Sequence, residues 1–403
     1  MTYDVDALRQ HFPSLDEGAA HFDGPGGSQV PDVVGDAVRE TLIAAISNRG
    51  TVTASARRAD RTVLAARDAV ADFLGAQPNG VVFGRSMTQL TYDLARTLAK
   101  HWHEDDEIVL TRLDHDANVR PWLQAGESRG VVPRWIDFDP ANGELDVESF
   151  TEQLSDRTRL VAITGASNLI GTRPDVGAFA KMAHEAGALV YVDGVHLTPH
   201  TSIDVTALEA DFYACSPYKF LGPHCGVLVA EPALLETLNP DKLLPSTNAV
   251  PERFELGTLP FELLAGTTAA IDFLASIAGS SAPTRRQRLV DSMQAVEAYE
   301  SELFDDLCDR LTKVDGVTLY GQAAARTPTV LFSIDGVENA ETSARLAALG
   351  VNAPEGNFYA IETSRRLGLA DAGAVRAGLA PYTNQSDVDR LVEGVESIAT
   401  ARP

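Results

Sequence analysis

The sequence predicts an α/β protein in which a large domain, built on a mostly parallel and doubly wound sheet, precedes a smaller C-terminal α+β domain. Between residues 81 and 230, short β-branched runs alternate with helical patterns, which is typical of βαβ units. Residues 260–314 lack strand signals and have the apolar spacing of two helices. Strand and helix patterns then return, and 403 residues are enough for two or three domains.

The large domain contains seven predicted strands separated by helical patterns. The strands are VVF from residue 81, EIVL from 107, VVPRWIDF from 131, RLVAIT from 159, ALVYVD from 188, DFYAC from 211 and CGVLVA from 225. The helical patterns begin near Ser86, Ala117, Val147 and Val176. Because helices lie between consecutive strands, most of the strands are expected to be parallel.

The rest of the chain supplies a connector and the smaller domain. The helical stretch breaks near GSSAP at residue 279. Beyond it, the predicted elements are strands VTLY from 317, TVLFSI from 329 and VRAGL from 375, with helices around Ala340 and from about Asn384. We therefore expect an N-terminal arm over 1–20 that packs on the small domain, a large domain over 21–262, a connector helix over 263–282 and a small domain over 283–403.

Charge and cysteine content exclude several classes of function. The chain has 33 Lys and Arg against 57 Asp and Glu, a net charge of −24, with no basic cluster for nucleic acid. No apolar stretch approaches the roughly 20 residues of a membrane span, and the polar N-terminus does not indicate secretion. Cys215, Cys225 and Cys308 form no CxxC pair and no metal framework, which fits a reducing cytoplasm.

Two side chains at predicted strand ends point to one kind of chemistry. An apolar strand ends at Asp193, and 26 residues later a Ser-Pro-Tyr-Lys turn places Lys219 after another strand. Ligands of open α/β sheets bind outside the carboxyl ends of the strands, so both side chains could face one crevice. A carboxylate beside a ring nitrogen and a lysine that reaches an aldehyde are what pyridoxal phosphate requires. Taken alone, an Asp and a Lys at this spacing favour the simpler interpretation of two side chains in surface loops.

The segment from 192 to 230, which includes VDGVH, HTSIDV and ADFYACSPYKFLGPHCGVL, resembles the cofactor region of the class V aminotransferases, and within them of the cysteine desulfurase-like proteins. The resemblance extends over nearly the whole chain. It implies fold type I of the pyridoxal phosphate enzymes, with this cofactor bound covalently by Lys219. It also implies that Asp193 keeps the pyridine nitrogen protonated and that His196 contacts the cofactor near O3′, where many relatives have Gln.

A predicted helix start supplies the phosphate site. Ser86 follows strand VVF as an expected N-cap, and Gln89 would complete a capping box. The N-terminus of a helix directly after a strand binds anions. Ser86, Met87 and Thr88 match the phosphate-binding turn of the family, so the resemblance assigns them the cofactor phosphate. A capping box alone would also explain these residues, and the two roles are compatible.

Further matches assign the remaining cofactor contacts. LDHDANVRPWLQ resembles the family segment whose histidine stacks on the pyridine ring, here His115. In GASNLIGT, Asn168 matches the asparagine that binds the cofactor O3′ or a substrate group. Ser216 matches a phosphate-binding serine. Tyr218 stands where desulfurases commonly have histidine, and it titrates too high to act as a near-neutral base.

Two segments bear on the partner subunit and the substrate. ERFELGTLPFELLAG resembles the segment whose threonine reaches the phosphate of the neighbouring subunit, which implies a homodimer with Thr258 in this role. VRAGLAPYTNQSDVD resembles the family ending whose arginine binds the substrate α-carboxylate. Arg376 can form the required bidentate fork, so an L-amino acid is the expected substrate.

One loop departs from the desulfurase pattern. Desulfurases carry R-x-G-x-x-C-A, whose cysteine takes sulfur as a persulfide, whereas this chain reads PEGNFYA and has Tyr359 at the cysteine position, between Gly356 and Ala360. Tyr359 is therefore expected at the substrate. Three activities remain open: β-elimination from a carbon–sulfur bond without a persulfide, transamination or epimerisation, and a non-catalytic scaffold that holds the cofactor. A scaffold has no need of Arg376, and the family resemblance favours the lyase.

Overall fold

The computed structural model describes residues 3–401. The strands, β1 to β13, are Ala20–His21, Val81–Gly84, Glu107–Thr111, Val132–Ile136, Thr158–Thr164, Leu189–Asp193, Phe212–Cys215, Gly226–Ala230, Val317–Tyr320, Thr329–Ile334, Val351–Asn352, Glu355–Gly356 and Ala374–Gly378. The helices, α1 to α13, are Val5–Arg9, Asp32–Ile43, Ala54–Leu74, Met87–Ala99, Arg120–Glu127, Val147–Gln153, Val176–Glu185, Pro232–Thr237, Phe261–Ser276, Arg285–Leu311, Asn339–Ala348, Ile361–Arg366 and Gln385–Thr400.

A seven-stranded sheet organises the large domain, with strand order β2-β8-β7-β6-β5-β3-β4. The five strands from β4 to β7 in this order are parallel. Strand β8 runs antiparallel to both of its neighbours. The predicted α/β class with a mostly parallel sheet is therefore confirmed. The carboxyl ends of β5, β6 and β7 meet at one edge, which is where ligands bind in such sheets.

Helices cover both faces of this sheet, as the doubly wound arrangement requires. On one face, α3, α7 and α9 bury Val63, Phe179 and Leu274 against the strands. On the other face, α4 and α5 contribute Leu94 and Trp122. Every residue of β7 is buried, which explains why its sequence, FYAC, is a continuous apolar run without alternation. Within residues 3–401, none of the helices combines the length and the apolar character of a membrane span.

The helical stretch forms α9 and α10, with the break over residues 277–284 that the sequence predicts. Helix α9 begins at Phe261, so the expected domain boundary after residue 262 falls inside its first turn. Helix α10 joins two cores. Its first half packs Leu289 and Met293 into the core of the large sheet, and its second half packs Leu303 and Leu307 into the C-terminal core.

The C-terminal sheet has the order β12-β13-β10-β9, and its neighbours are antiparallel. Helix α13 covers it with Val388, Leu391 and Val395. Strand β1 pairs in parallel with β11. This smaller α+β unit positions β13, whose Arg376 donates a hydrogen bond to the carbonyl of Asn168 after β5 of the large sheet.

The N-terminal segment contacts several elements. The ring of Phe12 lies 5.8 Å from that of Phe273 in α9 and 5.0 Å from that of Tyr382 before α13. The ring of Tyr3 stacks on Tyr299 of α10 at 4.4 Å. The first two residues of the expected arm lie outside the described residues, as do the last two of the small domain.

Several elements differ from the sequence expectation. The helix expected near Ala117 begins at Arg120, because a 3₁₀ turn at Asp116–Asn118 comes first. Helices α2, α3 and α8 have no counterpart in the prediction. The 21-residue α3 did carry a signal, since Thr53 caps it, Gly75 ends it and its buried residues recur at helical spacing.

Candidate active site

A cavity of about 550 Å³ lies at the carboxyl ends of the parallel strands. It gathers nearly all of the residues that the sequence singles out: Ser86, Met87, Thr88, His115, Asn168, Asp193, His196, Ser216, Tyr218, Lys219, Tyr359 and Arg376. Thr258 does not line it. Thr258 and Gly257 border a separate groove of about 290 Å³.

Lys219 enters the cavity from a short 3₁₀ turn that follows β7. Its backbone N–H donates to the Ser216 carbonyl at 3.0 Å, which fixes the turn. Its Nζ donates to the carbonyl oxygens of Pro25 and, at 3.0 Å, of Gly26. Burial, and after it the charge of Arg376, lower the pKa of this amine to about 7, against the opposing effect of the Asp193 charge. A large neutral fraction at physiological pH suits a nucleophile or a base.

Asp193 is the last residue of β6 and is buried. Its Oδ1 accepts a hydrogen bond from the Val195 N–H at 3.0 Å. Burial raises the pKa of the carboxyl to about 7, against the opposing effects of that hydrogen bond and of the Lys219 charge. A protonated ring nitrogen placed beside this carboxyl would supply the positive charge that stabilises its ionised form.

His115 follows β3 and holds its own ring in place. Its Nδ1 accepts from the Ala117 N–H at 3.0 Å. Burial lowers the pKa of His115 to about 4, and the nearby Lys219 charge acts in the same direction. The imidazole is therefore neutral at physiological pH and suited to stacking on a flat ring. Its centroid lies 5.5 Å from that of Tyr359 at an interplanar angle of 30°.

The N-terminus of α4 borders the cavity with unpaired backbone N–H groups, as the first turn of every helix does. Ser86 caps this helix, and its Oγ accepts from the Gln89 N–H at 3.1 Å. The expected capping box is wrong in one detail. Gln89 Oε1 accepts from the N–H of Arg85 at 3.1 Å, one residue before the N-cap. Gly226 of β8 lets the turn approach, because a Cβ there would lie 2.2 Å from the carbonyl carbon of Ser86.

His196 is buried at the cavity wall, and its Nε2 lies 3.0 Å from Thr329 Oγ1. Burial holds the pKa of His196 well below its usual value, and the neighbouring His200 acts in the same direction. Tyr218 stacks on His224 at 4.7 Å, and the Lys219 Nζ lies 4.8 Å from the Tyr218 ring centroid. Burial also raises the pKa of Tyr218, so this phenol is neutral.

Arg376 and Asn168 also line the cavity. Arg376 Nη1 donates to the Asn168 carbonyl at 2.8 Å, while its Nε is buried without a partner among the described residues. Burial lowers the pKa of this guanidinium to about 9. The Asn168 side-chain Nδ2 donates to the carbonyl of Phe358 at 2.9 Å, and its Oδ1 is also buried and unpaired within the described chain.

The loop of residues 357–360 lies at the mouth of the cavity, which Phe358 and Tyr359 line. Phe358 and Tyr359 have φ angles of 49° and 63°, in the left-handed region. The Tyr359 side chain is 73% exposed at this mouth. The Tyr359 carbonyl accepts from the Asp116 N–H at 2.8 Å, which ties the loop to the turn after β3. None of the three cysteines lines the cavity.

Three contributors to the cavity are not among the residues that the sequence singles out. The carbonyls of Pro25 and Gly26 bind the Lys219 amine, and the Phe358 ring covers Arg376 at 3.6 Å. The DGPGG run at residues 23–27 was a usable signal, because such runs allow close backbone approach. Phe358 carried no signal of its own, since its neighbour Arg376 comes from a distant strand.

The residues of this cavity fit pyridoxal phosphate. A buried carboxyl without a cationic hydrogen-bond partner suits the ring nitrogen, a neutral imidazole suits the ring face, and the α4 N-terminus suits the phosphate. The Lys219 amine, with a pKa of about 7, suits covalent attachment to an aldehyde.

Comparison with known proteins gives the same indication. The family model for aminotransferase class V matches residues 20–391. An uncharacterized protein of Mycobacterium tuberculosis is 35% identical over 99% of this chain and 100% of its own length. The aminotransferase-like protein FGM3 of Gibberella zeae is 31% identical over 98% of this chain and 99% of its own length. A cysteine desulfurase of Dickeya dadantii is 30% identical over 98% of this chain and 97% of its own length.

Solved structures agree with the fold. The cysteine desulfurase CsdA of Escherichia coli superposes with a TM-score of 0.88 at 26% identity, over 100% of both chains. A cysteine desulfurase of Thermococcus onnurineus superposes with a TM-score of 0.89 at 24% identity over 98% of both chains. At this identity the superposition shows a shared fold only.

Proposed function

The chain belongs to the class V aminotransferase family as a cysteine desulfurase-like enzyme that uses pyridoxal phosphate, and from this premise we propose that it cleaves a carbon–sulfur bond of an L-amino acid by β-elimination, without a persulfide on a cysteine. The observation that carries the proposal is Tyr359 at the cavity mouth, in the loop position where desulfurases have their cysteine. A phenol cannot accept sulfur as a thiolate does.

Pyridoxal phosphate, when bound, draws electron density from the substrate Cα. We assign the other tasks to residues of this chain. Arg376 binds the α-carboxylate, and His115 packs on the flat ring. The Lys219 amine takes the proton from Cα. The Cβ–S bond then breaks, and the sulfur leaves with the bonding electrons as a thiolate. Hydrolysis of the remaining fragment releases pyruvate and ammonia.

The thiols of the chain support the absence of a persulfide step. Burial raises the pKa of Cys215 far above its usual value and raises the pKa values of Cys225 and Cys308 to about 11. The thiolate is the nucleophilic form, so these groups are poor sulfur acceptors. Cys215 lies in β7, Cys225 directly before β8, and Cys308 in α10.

We also propose that the enzyme is a homodimer in which Thr258 completes the phosphate site of the partner. Thr258 lies outside the cavity of its own chain, which fits such a role. Arg49 donates to Glu252 at 3.0 Å, so the segments around these residues share one side of the molecule. Both segments expose large apolar side chains, which mark interaction surfaces: Leu42, Ile43, Val52, Leu243, Leu244 and Leu256.

A product assay tests the lyase. The purified holoenzyme would be incubated with a panel of L-amino acids, including those with a thiol, disulfide or sulfoxide group on Cβ. We expect pyruvate, ammonia and a sulfur product in equal amounts without added thiol. Keto acids other than pyruvate, with conversion of the cofactor to its amine form, would instead establish transamination. Loss of chirality at Cα without net reaction would establish epimerisation.

A further inference from the structure

We propose that Phe358 is a positioning residue for the substrate carboxylate, because its ring fixes the plane of the Arg376 guanidinium and leaves one edge of that group open to the ligand. The inference rests on the proposed role of Arg376, and it assigns a task to the loop that has Tyr359 at the expected position of the desulfurase cysteine. It applies to any amino-acid reaction in this cavity.

One edge of the guanidinium is hydrogen-bonded, and the other edge has no hydrogen-bond partner among the described residues. Nη1 donates to the Asn168 carbonyl at 2.8 Å. No hydrogen bond between described residues uses Nε or Nη2, and Nε is buried. The space beside Nη2 is bounded by Gly26, where a Cβ would lie 3.7 Å away. A carboxylate pairs with two adjacent N–H groups of such an edge in a bidentate fork.

The ring of Phe358 restrains this group from its face. Its centroid lies 3.6 Å from Arg376 Cζ, which is direct contact between the ring and the guanidinium. A cation over an aromatic face is attracted by the ring quadrupole, and the attraction is strongest where water is excluded. Arg376 is only 2% exposed, so it meets this condition. The ring thus limits rotation of the guanidinium out of the plane in which Asn168 holds it.

The loop itself is fixed by hydrogen bonds on both sides. Asn168 accepts from Arg376 with its carbonyl and donates to the Phe358 carbonyl at 2.9 Å, so one residue links both members of the pair. The backbone N–H of Asp116 donates a hydrogen bond to the next carbonyl, that of Tyr359, at 2.8 Å. Non-glycine residues persist in the left-handed region only where the surroundings hold them there, and Phe358 has a φ of 49°. This arrangement suits a fixed wall of the substrate site.

The test separates positioning from obstruction. L-Alanine and ethylamine differ by the carboxylate, and the binding of each to the holoenzyme can be followed through the cofactor spectrum. In Phe358→Leu, we expect the apparent dissociation constant of L-alanine to rise about tenfold and that of ethylamine to stay within about twofold. Phe358→Tyr, which keeps the ring, should restore binding of L-alanine. Unchanged or tighter binding of L-alanine in Phe358→Leu would overturn the proposal.

Two further variants guard against a folding artefact. Phe358→Asn removes the ring but places at this left-handed position a residue that tolerates it, so the loop should be preserved. It should show the same selective loss as Phe358→Leu; equal losses for both ligands would also overturn the proposal. Trp135→Leu is the matched control, because it also removes a ring that lies under an arginine. The Cζ atom of Arg112 is 4.9 Å from the Trp135 ring centroid, and neither residue lines the cavity. It should change neither constant. Neither ligand contains sulfur, so the result is independent of the proposed lyase reaction.

Discussion

Lys219 carries an amine that is buried yet held by two backbone carbonyls instead of a carboxylate. With a pKa of about 7, the neutral fraction of this amine rises about tenfold between pH 6 and pH 8 and little beyond. We expect the rate of covalent cofactor attachment to the apoprotein to follow this curve, because the neutral amine attacks the aldehyde. A rate that keeps rising tenfold per pH unit up to pH 10 would indicate an ordinary lysine.

The same residue gives a direct chemical test. Lys219→Ala should contain no cofactor that borohydride fixes to the chain, while the rest of the cavity still binds it non-covalently. Mass spectrometry of the reduced protein measures the adduct. A covalent adduct retained in this variant would refute the assignment of Lys219.

The cysteines provide a second test at this scale. Replacing Cys215, Cys225 and Cys308 together by Ala or Ser should leave activity on the true substrate within about tenfold, roughly 1.4 kcal/mol of barrier. The reason is that none of the three lines the cavity. Circular dichroism would establish that the variant folds. A persulfide trapped on one of them during turnover, together with inactivity of its single variant, would restore a desulfurase mechanism.

Among the secondary-structure elements, the contact between β8 and the start of α4 shapes the phosphate site. A methyl group at Gly226 would lie 2.2 Å from the carbonyl carbon of Ser86 and 2.6 Å from the Met87 nitrogen. Gly226→Ala must therefore displace the turn, at a cost of about 1–3 kcal/mol. We expect cofactor affinity to fall at least about tenfold, measured by equilibrium titration of the apoprotein.

Gly177→Ala is the matched control, since a methyl group on that helix would meet its nearest neighbour at an ordinary 3.7 Å. It should leave cofactor affinity unchanged. Equal affinity of the Gly226→Ala variant and the unmodified protein would mean that the α4 N-terminus does not hold the phosphate.

Elements also show what could be read from the sequence. Asp193 and Lys219 could be placed at neighbouring strand ends because buried parallel strands leave continuous apolar runs. For the contacts from Pro25 and Gly26 the sequence offers only the DGPGG run, because backbone carbonyls themselves leave no mark on residue type. Helix α3 has cap signals in its sequence, but its hydrophobic periodicity is weak because many of its buried residues are alanines, such as Ala59 and Ala66.

For the whole molecule, the predicted homodimer sets a test of assembly. Each chain has a mass of 43.1 kDa, and sedimentation should give twice this value at micromolar concentration. Leu244 is 98% exposed, so Leu244→Asp should not harm the monomer fold but should weaken the dimer if this face is the interface. Because Thr258 would serve the partner, cofactor occupancy should fall with dissociation.

Leu349→Asp is the control, because Leu349 is also exposed but follows α11 in the smaller domain. It should leave mass and occupancy unchanged. A monomer with full cofactor occupancy would contradict both the dimer and the role of Thr258.

Helix α10 couples the unfolding of the two cores. Its 27 residues span about 40 Å at 1.5 Å per residue, and each half is buried in a different core. Loss of either core would leave half of a rigid rod without its apolar partners. Thermal denaturation should therefore proceed as one calorimetric transition, and an early-melting C-terminal unit should not be observed.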